Sequence, residues 1–288
     1  MNRVLIRVIG APLILAGLAL CVYADHRRET TTAVTVLIGC FAAISFHELC
    51  AMARLKGGRP SELPGLTAIV LNFAVALGMT GPGAHYLTVT LSFLLLLLLT
   101  MVFRSRTTTP TDAGYTLLAY QYVSLLLFIP FPPYAHSGQW IYWLLFLVAT
   151  NKGSDMAAYV VGKSLGRHKL APAISPNKTW EGAVAGLAAG TLLGFVVLRL
   201  WKADVAESGM TLFSGILRGP EILLSYVGAA AGVTVAAQLG DLVKSAIKRW
   251  AGVKDSGQFL PEFGGALDMV DSFILSAPVA AWLVLGRF

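Results

Sequence analysis

The sequence predicts an all-α polytopic membrane protein of about nine transmembrane helices with a cytoplasmic N-terminus. Three observations predict it. Of 288 residues, 56% are hydrophobic and only 13% charged, against roughly 25% charged in an ordinary soluble domain. Apolar runs recur at about the 20-residue length a helix needs to cross the hydrocarbon core, where only self-satisfied backbones are economical. The Lys and Arg residues also differ in density from one joining segment to the next.

The first span, Val4 to Ala24, follows a charged start. A charged start, an apolar run and "VYA" also form the pattern of a cleavable signal peptide, but a retained span fits the charge distribution better. Leu20 stands where a lipoprotein site would place a small residue before Cys21. The second span, Thr31 to Ala53, puts His47 and Glu48 toward its cytoplasmic end. Glu48 reads equally as a helix-end acid reaching for water and as a site residue. The third, Pro64 to Gly81, is interrupted by glycines and a central Asn72, and the fourth runs from His85 to Phe103. The fifth covers Ala113 to Tyr134 and the sixth Gln139 to Val161. The seventh runs Thr179 to Trp201, the eighth Ile222 to Asp241 and the ninth Gly265 to Gly286. The joining segments are short and no internal repeat is visible. Residues 1–135 read as a lipid-facing scaffold and 136–288 as the half bearing catalytic loops, in one integral-membrane unit.

Basic residues in short loops collect on the cytoplasmic side. With nine spans, and with Arg7 and Arg199 near span ends counted with the segments they adjoin, 15 of the 22 Lys and Arg fall on the face of the N-terminus and 6 on the other, Lys152 lying inside a span. The asymmetry orients the N-terminus to the cytoplasm and the C-terminus outward. The net charge of +7 and pI near 9.4 follow from that orientation and from attraction to anionic headgroups. No nucleic-acid module is visible. Cys21, Cys40 and Cys50 show no metal-type spacing and read as packing residues.

Ionisable groups concentrate after Trp140. "ATNKGSDMAAYVVGK" places Lys152 and Asp155 within an apolar helix, where charges are costly and mark function by default. Three residues apart, they can also simply neutralise each other. The next segment, "GKSLGRHKLAPAISPNKTWEG", offers Lys163, Arg167, His168, Lys169 and Lys178 with the Ser175 and Thr179 hydroxyls. Glycine-freed amides, cations and hydroxyls suit a polyphosphate, although the Walker order is absent. Half of this basic character is also what cytoplasmic orientation alone would require.

In "QLGDLVKSAIKRWAGVKDSGQFLPEFGGALDMVD" Asp241 precedes Lys244, Lys248, Arg249, Lys254 and Asp255, and Asp268 and Asp271 follow. Residues three apart on a helix face the same way, so that pair can converge on one cation. Carboxylates are the hard ligands magnesium takes, completed by water and phosphates. The alternative is a solvated helix start, where acids are favourable. Acids for a metal and cations for phosphates on one face of a membrane protein point to phosphoryl or nucleotidyl transfer onto a lipid.

The stretch "SAIKRWAGVKDSGQFLPEFGGALDMVDS" closely resembles the signature of the phosphatidate cytidylyltransferases, which runs Ser-x-x-Lys-Arg, Lys-Asp, Pro-x-His-Gly-Gly, Asp-Arg-x-Asp. "DMAAYVVGKSLGRHKLAPAISPNKTWEG" resembles the same family. The resemblance implies transfer of CMP from CTP to phosphatidic acid, giving CDP-diacylglycerol and pyrophosphate, with Mg²⁺ and a possible second cation. It implies metal binding by Asp241, Asp268 and Asp271, catalysis by Lys248, Arg249, Lys254 and Asp255, and substrate binding by Asp155, Lys169, Ser175, Lys178, Thr179 and Ser245. It further implies membrane-lipid partners, no nucleic acid, a homodimer as one arrangement, and a bacterial inner membrane with the site facing the cytoplasm.

Three positions depart from the pattern: Phe263 replaces the usual His, Met269 replaces Arg, and Lys244 stands where an acid is common. Two other readings stay open. One is a CTP-dependent enzyme on another membrane lipid, such as a polyprenol kinase. The other is a non-catalytic or transport paralogue using the charges of Lys152 and Asp155.

Overall fold

The computed structural model describes residues 17, 19–28, 30–78, 82–103, 109–129, 140–207, 220–257 and 264–285. Most of the first expected span, the end of the fifth and Phe263 therefore lie outside the described residues. The helices are α1 (Thr32–Leu55), α2 (Glu62–Gly78), α3 (Pro82–Phe103) and α4 (Pro110–Ser124), which tightens into a 3-10 turn over Leu125–Phe128. Then come α5 (Trp140–Ser164), strands β1 (Lys169–Ala171) and β2 (Ser175–Thr179), α6 (Trp180–Glu207), α7 (Pro220–Ala251) and α8 (Ala266–Leu285). The chain is thus an integral-membrane protein of helical class. Among the described residues, Thr32–Leu55, Trp180–Trp201, Leu224–Ala251 and Ala266–Leu283 are long and apolar enough to cross a bilayer, with Glu62–Leu77 and Thr90–Val102 shorter apolar helices.

Two differences from the expected elements matter. The segment after α5 is not plain loop: β1 and β2 pair antiparallel, Lys169 opposite Thr179 and Ala171 opposite Ser175. The helix expected to stop at Asp241 continues to Ala251, because "LVKSAIKRWA" loses hydropathy without containing a helix breaker. It ends where Gly252 takes φ +80°. The Gly252 amide bonds to Arg249 O and the Val253 amide to Lys248 O, the paired bonds of a Schellman cap.

The chain forms two compact units, residues 1–140 with 247–271, and residues 141–246 with 272–288. In the first, α2 packs on α1, α3 and α4, and α1 also meets α4. Its core includes Phe46, Phe93, Tyr120 and Val123, with the Phe93 and Tyr120 rings stacked at 4.2 Å. Two carboxylates organise its loops. Asp25 accepts from the Ala33 and Val34 amides at 2.9 and 2.8 Å, capping α1 where Thr31 supplies no side-chain bond. Asp112 closes a capping box with Thr109 at the start of α4. It also accepts from the Arg59 amide at 2.6 Å, tying the α1–α2 connection to α4. These bonds to the charged form hold its carboxyl below the ordinary value of 3.8.

The second unit packs through glycine. Gly182, Gly186, Gly190 and Gly194 recur every four residues on α6, one stripe of the helix face. A Cβ on Gly182, Gly186 or Gly190 would lie 2.7 to 2.9 Å from the carbonyl oxygens of Ala158, Ser154 and Thr150 on α5. Backbone therefore approaches backbone along the stripe, as small-residue membrane interfaces allow. Gln238 on α7 stitches the third helix in, donating to Ser154 Oγ at 3.1 Å and Ala183 O at 3.0 Å. Ser276 on α8 donates to Asn151 Oδ1 at 2.9 Å.

Candidate active site

In the first unit the opening acid of α8 is held from several sides. With Gly265 as the residue before the helix, Asp268 is its third residue, and its Oδ2 accepts the Gly265 amide at 3.3 Å. The same oxygen accepts the Ser256 amide at 3.1 Å and hydroxyl at 3.0 Å. Its Oδ1 takes the Lys248 ammonium at 2.7 Å. Both side chains are 12% exposed, so the pair is shielded more than a surface bridge. Gly264 has φ +87°, and a Cβ there would meet Asp268 Oδ2 at 2.9 Å. That accounts for the first glycine of "FGG". Asp271 lies one turn deeper and is buried.

Arg249 is exposed near the end of α7 and its Nη1 donates to Val253 O at 3.4 Å. Lys254 and Asp255 are exposed in the turn that follows. Ser256, which sequence reasoning did not single out, is buried. Its position directly after "KD" in the quoted signature was the available signal.

In the second unit the hairpin carries its own cation and carboxylate pair. Lys178 on β2 bridges Asp241 Oδ2 at 2.5 Å, and Lys244 reaches Asp241 Oδ1 at 3.2 Å from the next turn of α7. Thr179 ends β2 and caps α6, accepting the Gly182 amide at 3.2 Å. His168 and Glu181 close the hairpin base, Nδ1 to Oε1 at 2.6 Å. Trp180 N–H donates to His168 O at 2.9 Å. Ser175 opens β2 half-buried, Lys169 on β1 is exposed, and Ser245 is half-buried on α7. Lys152 and Asp155 stand 3.6 Å apart, each nearly half exposed, and Lys152 also lies over the Phe273 ring at 5.2 Å.

The grouping within each unit follows. Lys248, Ser256 and Asp268 are in contact in the first; Lys178, Asp241 and Lys244 are in contact in the second. Lys169, Lys254 and Asp255 stand out on the surface.

Among the described residues no group of three or more His, Cys, Asp and Glu side chains is placed to hold a metal. Magnesium seldom takes an all-protein cage, binding one or two carboxylates and completing its octahedron with water and phosphates. Asp268, with Asp271 a turn along the same helix, is a donor set of that kind. The ammonium on Asp268 Oδ1 stands where positive charge is already stabilised, so the residues fit a hard cation arriving with a phosphate substrate.

A sequence profile of the Cytidylyltransferase family matches residues 2–285. The phosphatidate cytidylyltransferase of Chlamydia pneumoniae is 31% identical over 293 residues, covering 97% of this chain and 91% of that protein. That of Bacillus subtilis is 32% identical over 257 residues, covering 87% and 88%. That of Staphylococcus aureus strain COL is 35% identical over 175 residues, 60% of each chain. With a match running nearly end to end, the chain belongs to the cytidylyltransferase family.

Proposed function

We propose that this protein transfers CMP from CTP to phosphatidic acid in the membrane, producing CDP-diacylglycerol and pyrophosphate. The observation that carries the reading is Asp268, a carboxylate held at a helix start between Lys248 and backbone amides, in a chain of this family. Relatives named phosphatidate cytidylyltransferase along most of its length support the substrate.

A phosphate oxygen of phosphatidate attacks the α-phosphorus of CTP. The new P–O bond forms as the α–β anhydride bond breaks, and its electron pair leaves on pyrophosphate. A phosphate monoester is already mostly dianionic near neutral pH, so no general base is needed. Lys248 and Arg249, with Lys254 and Asp255, bind and orient the nucleotide phosphates in this scheme. Ser245, Lys178, Ser175, Thr179, Lys169 and Asp155 position substrate. Their cations offset charge that grows on the leaving oxygens. Asp268 and Asp271, and Asp241 in its own cluster, are the residues that would hold Mg²⁺ or a second cation. Bound there, the ion would supply charge neutralisation at the phosphates.

The nine-span topology with a cytoplasmic N-terminus belongs to the same proposal. It is supported by the basic excess in the segments holding Lys163 to Lys178 and Lys244 to Lys254. It places both clusters where CTP is found, at the inner membrane of a bacterial cell.

The test is pyrophosphate release by detergent-purified protein given phosphatidate, CTP and Mg²⁺, with ATP as a control and Asp268→Ala beside it. Release that needs all three components and disappears in the variant supports the reading. Release of CDP instead would make it a lipid kinase. Substrate flux in vesicles without CTP would make it a transporter.

A further inference from the structure

Helix α8 begins without a side-chain cap of its own. The residue before it is Gly265, yet Ala266 and Leu267 at its first two positions are fully buried, out of reach of water. Their amides donate instead to Glu48, Ala266 to Oε1 at 2.8 Å and Leu267 to Oε2 at 3.0 Å. Glu48 belongs to α1 and lies 218 residues earlier in the chain. Its Oε2 also meets the Ser256 hydroxyl at 2.9 Å, and that hydroxyl is 3.0 Å from Asp268 Oδ2. A hydroxyl carries one proton, so Ser256 donates to one carboxylate at a time and couples the two.

Both flanking glycines are explained by this carboxylate. A Cβ on Gly265 would fall on Ser256 Oγ and on both Glu48 oxygens, closer than real Cβ atoms come. A Cβ on Gly257 would lie 2.5 Å from Glu48 Oε1. No Ser, Asp or Asn can therefore occupy the usual capping position, and the cap must come from elsewhere. A negative charge at a helix start is also favoured by the aligned peptide dipoles.

We infer that Glu48 is a positioning residue. By capping α8 from α1 and sharing Ser256 with Asp268, it sets where the helix begins and how Asp268 and Asp271 present their oxygens. The inference rests on the reading of those two aspartates as cation ligands. Glu48 touches no reacting atom in this scheme and acts through the acids it orients.

The experiment compares wild type with Glu48→Gln, Ser256→Ala, Gly265→Ala and Glu48→Ala/Gly265→Ala, each as full-length purified protein. Pyrophosphate release is measured against Mg²⁺ and CTP concentration, and thermal unfolding with and without Mg²⁺ plus CTP. Glutamine keeps the shape but presents one oxygen and an NH₂ to groups that all donate. Glu48→Gln should lower turnover or raise half-saturating Mg²⁺ by about 10- to 100-fold, as loss of an outer-shell partner commonly does. It should also shrink the stabilisation by Mg²⁺ and CTP, leaving the KM for phosphatidate in place. Ser256→Ala should shift both in the same direction by less.

Gly265→Ala alone should resemble Glu48→Gln, and in the double variant its methyl is relieved of both Glu48 contacts and keeps only the one with Ser256 Oγ, so the combined loss should be smaller than the sum of the separate ones. Turnover and Mg²⁺ dependence both unchanged in folded Glu48→Gln, or fully additive losses in the double variant, would overturn the inference. If Glu48→Gln does not fold, the Ser256→Ala titration decides in its place. An inactive wild type, or an active Asp268→Ala, would instead overturn the underlying assignment of the acids.

Discussion

The ammonium of Lys248, in the last turn of α7, sits 2.7 Å from Oδ1 of Asp268 in the first turn of α8. Twenty residues and a Schellman-capped turn separate the two, and both are shielded from water. The contact turns a sequence motif into a piece of three-dimensional electrostatics: the cation that "KRW" contributes belongs to the acid that "LDM" contributes. Removing it leaves a part-buried carboxylate short of its charged donor. Lys248→Ala should destabilise the folded protein by about 1.5–3 kcal/mol and lower turnover by roughly 10²- to 10³-fold, the usual loss for one donor aimed at developing charge. Thermal unfolding together with pyrophosphate release checks both.

The hairpin lysines should separate sharply. Lys178 bridges Asp241 while Lys169, across the same pair of strands, is exposed. Lys178→Ala should lower kcat/KM for CTP by about 10- to 100-fold, the equivalent of one charge-assisted hydrogen bond. Lys169→Ala, which meets substrate from an exposed position, should cost less in the same parameter, about two- to fivefold, as a solvent-screened charge does. Equal losses from steady-state kinetics on the two variants would remove Lys178 from its assigned role.

Asp112 makes stability depend on acid. Its carboxyl is held low by the Arg59 amide first and by Thr109 next, so its folded value lies below its unfolded one. The stabilisation is therefore fully present above about pH 4 and is lost as pH falls through the lowered folded value. Asp112→Asn should lower the melting temperature near neutrality, with the gap to wild type narrowing as the buffer is taken below the ordinary carboxylate range. Unfolding curves in detergent between pH 7 and pH 3 give the comparison. A gap that widens on acidification would have the wrong sign for this linkage.

Gly190 in the α6 stripe and Gly228 on α7 predict opposite answers. A Cβ on Gly190 meets Thr150 O and Thr234 Oγ1 at 2.8 Å, so Gly190→Ala should destabilise by about 1–3 kcal/mol as an overpacked contact. A Cβ on Gly228 meets nothing within 4 Å. Gly228→Ala should be neutral or gain up to about 1 kcal/mol from a less free unfolded chain. Melting temperatures of the two variants read this directly.

Much of this was legible in the sequence because hydropathy and helix length are local properties. The span expected from Thr31 to Ala53 is α1 over Thr32–Leu55, and the helix expected from Gln139 to Val161 is α5 over Trp140–Ser164, which is not among the described helices apolar enough to cross a bilayer. The extension of α7 past Asp241 was missed because the helix leaves the apolar stretch while its backbone continues. The hairpin was missed because "SPNKT" is short, polar and carries a proline, which lowers strand preference. What holds it is the cap by Thr179 and the bond from His168 to Glu181.

At the candidate site, the motif order placed Asp241, Lys248 and Asp268 in view. Sequence could not say which cation meets which acid. Spacing along one helix shows Asp268 and Asp271 as neighbours, but nothing in a spacing rule connects Glu48 with residues more than two hundred positions away. The "GG" of "FGG" belongs to a signature, and its steric reason lies in the packing of Gly264 and Gly265 against Asp268, Ser256 and Glu48. The stripe from Gly182 to Gly194 was there to be found, since a strict period of four small residues marks close helix contact.

The bond between Glu48 and α8 also fixes an order of events in the making of the protein. A ribosome adding about 5–20 residues per second reaches Ala266 roughly 10 to 40 s after Glu48. Throughout that interval the N-terminal helices exist with a carboxylate prepared for amides that have not been synthesised. Ordering of the acid pair is therefore among the last steps of biogenesis, and a chain that stops short of its final helix has no weakened active site to offer, only an unfinished one.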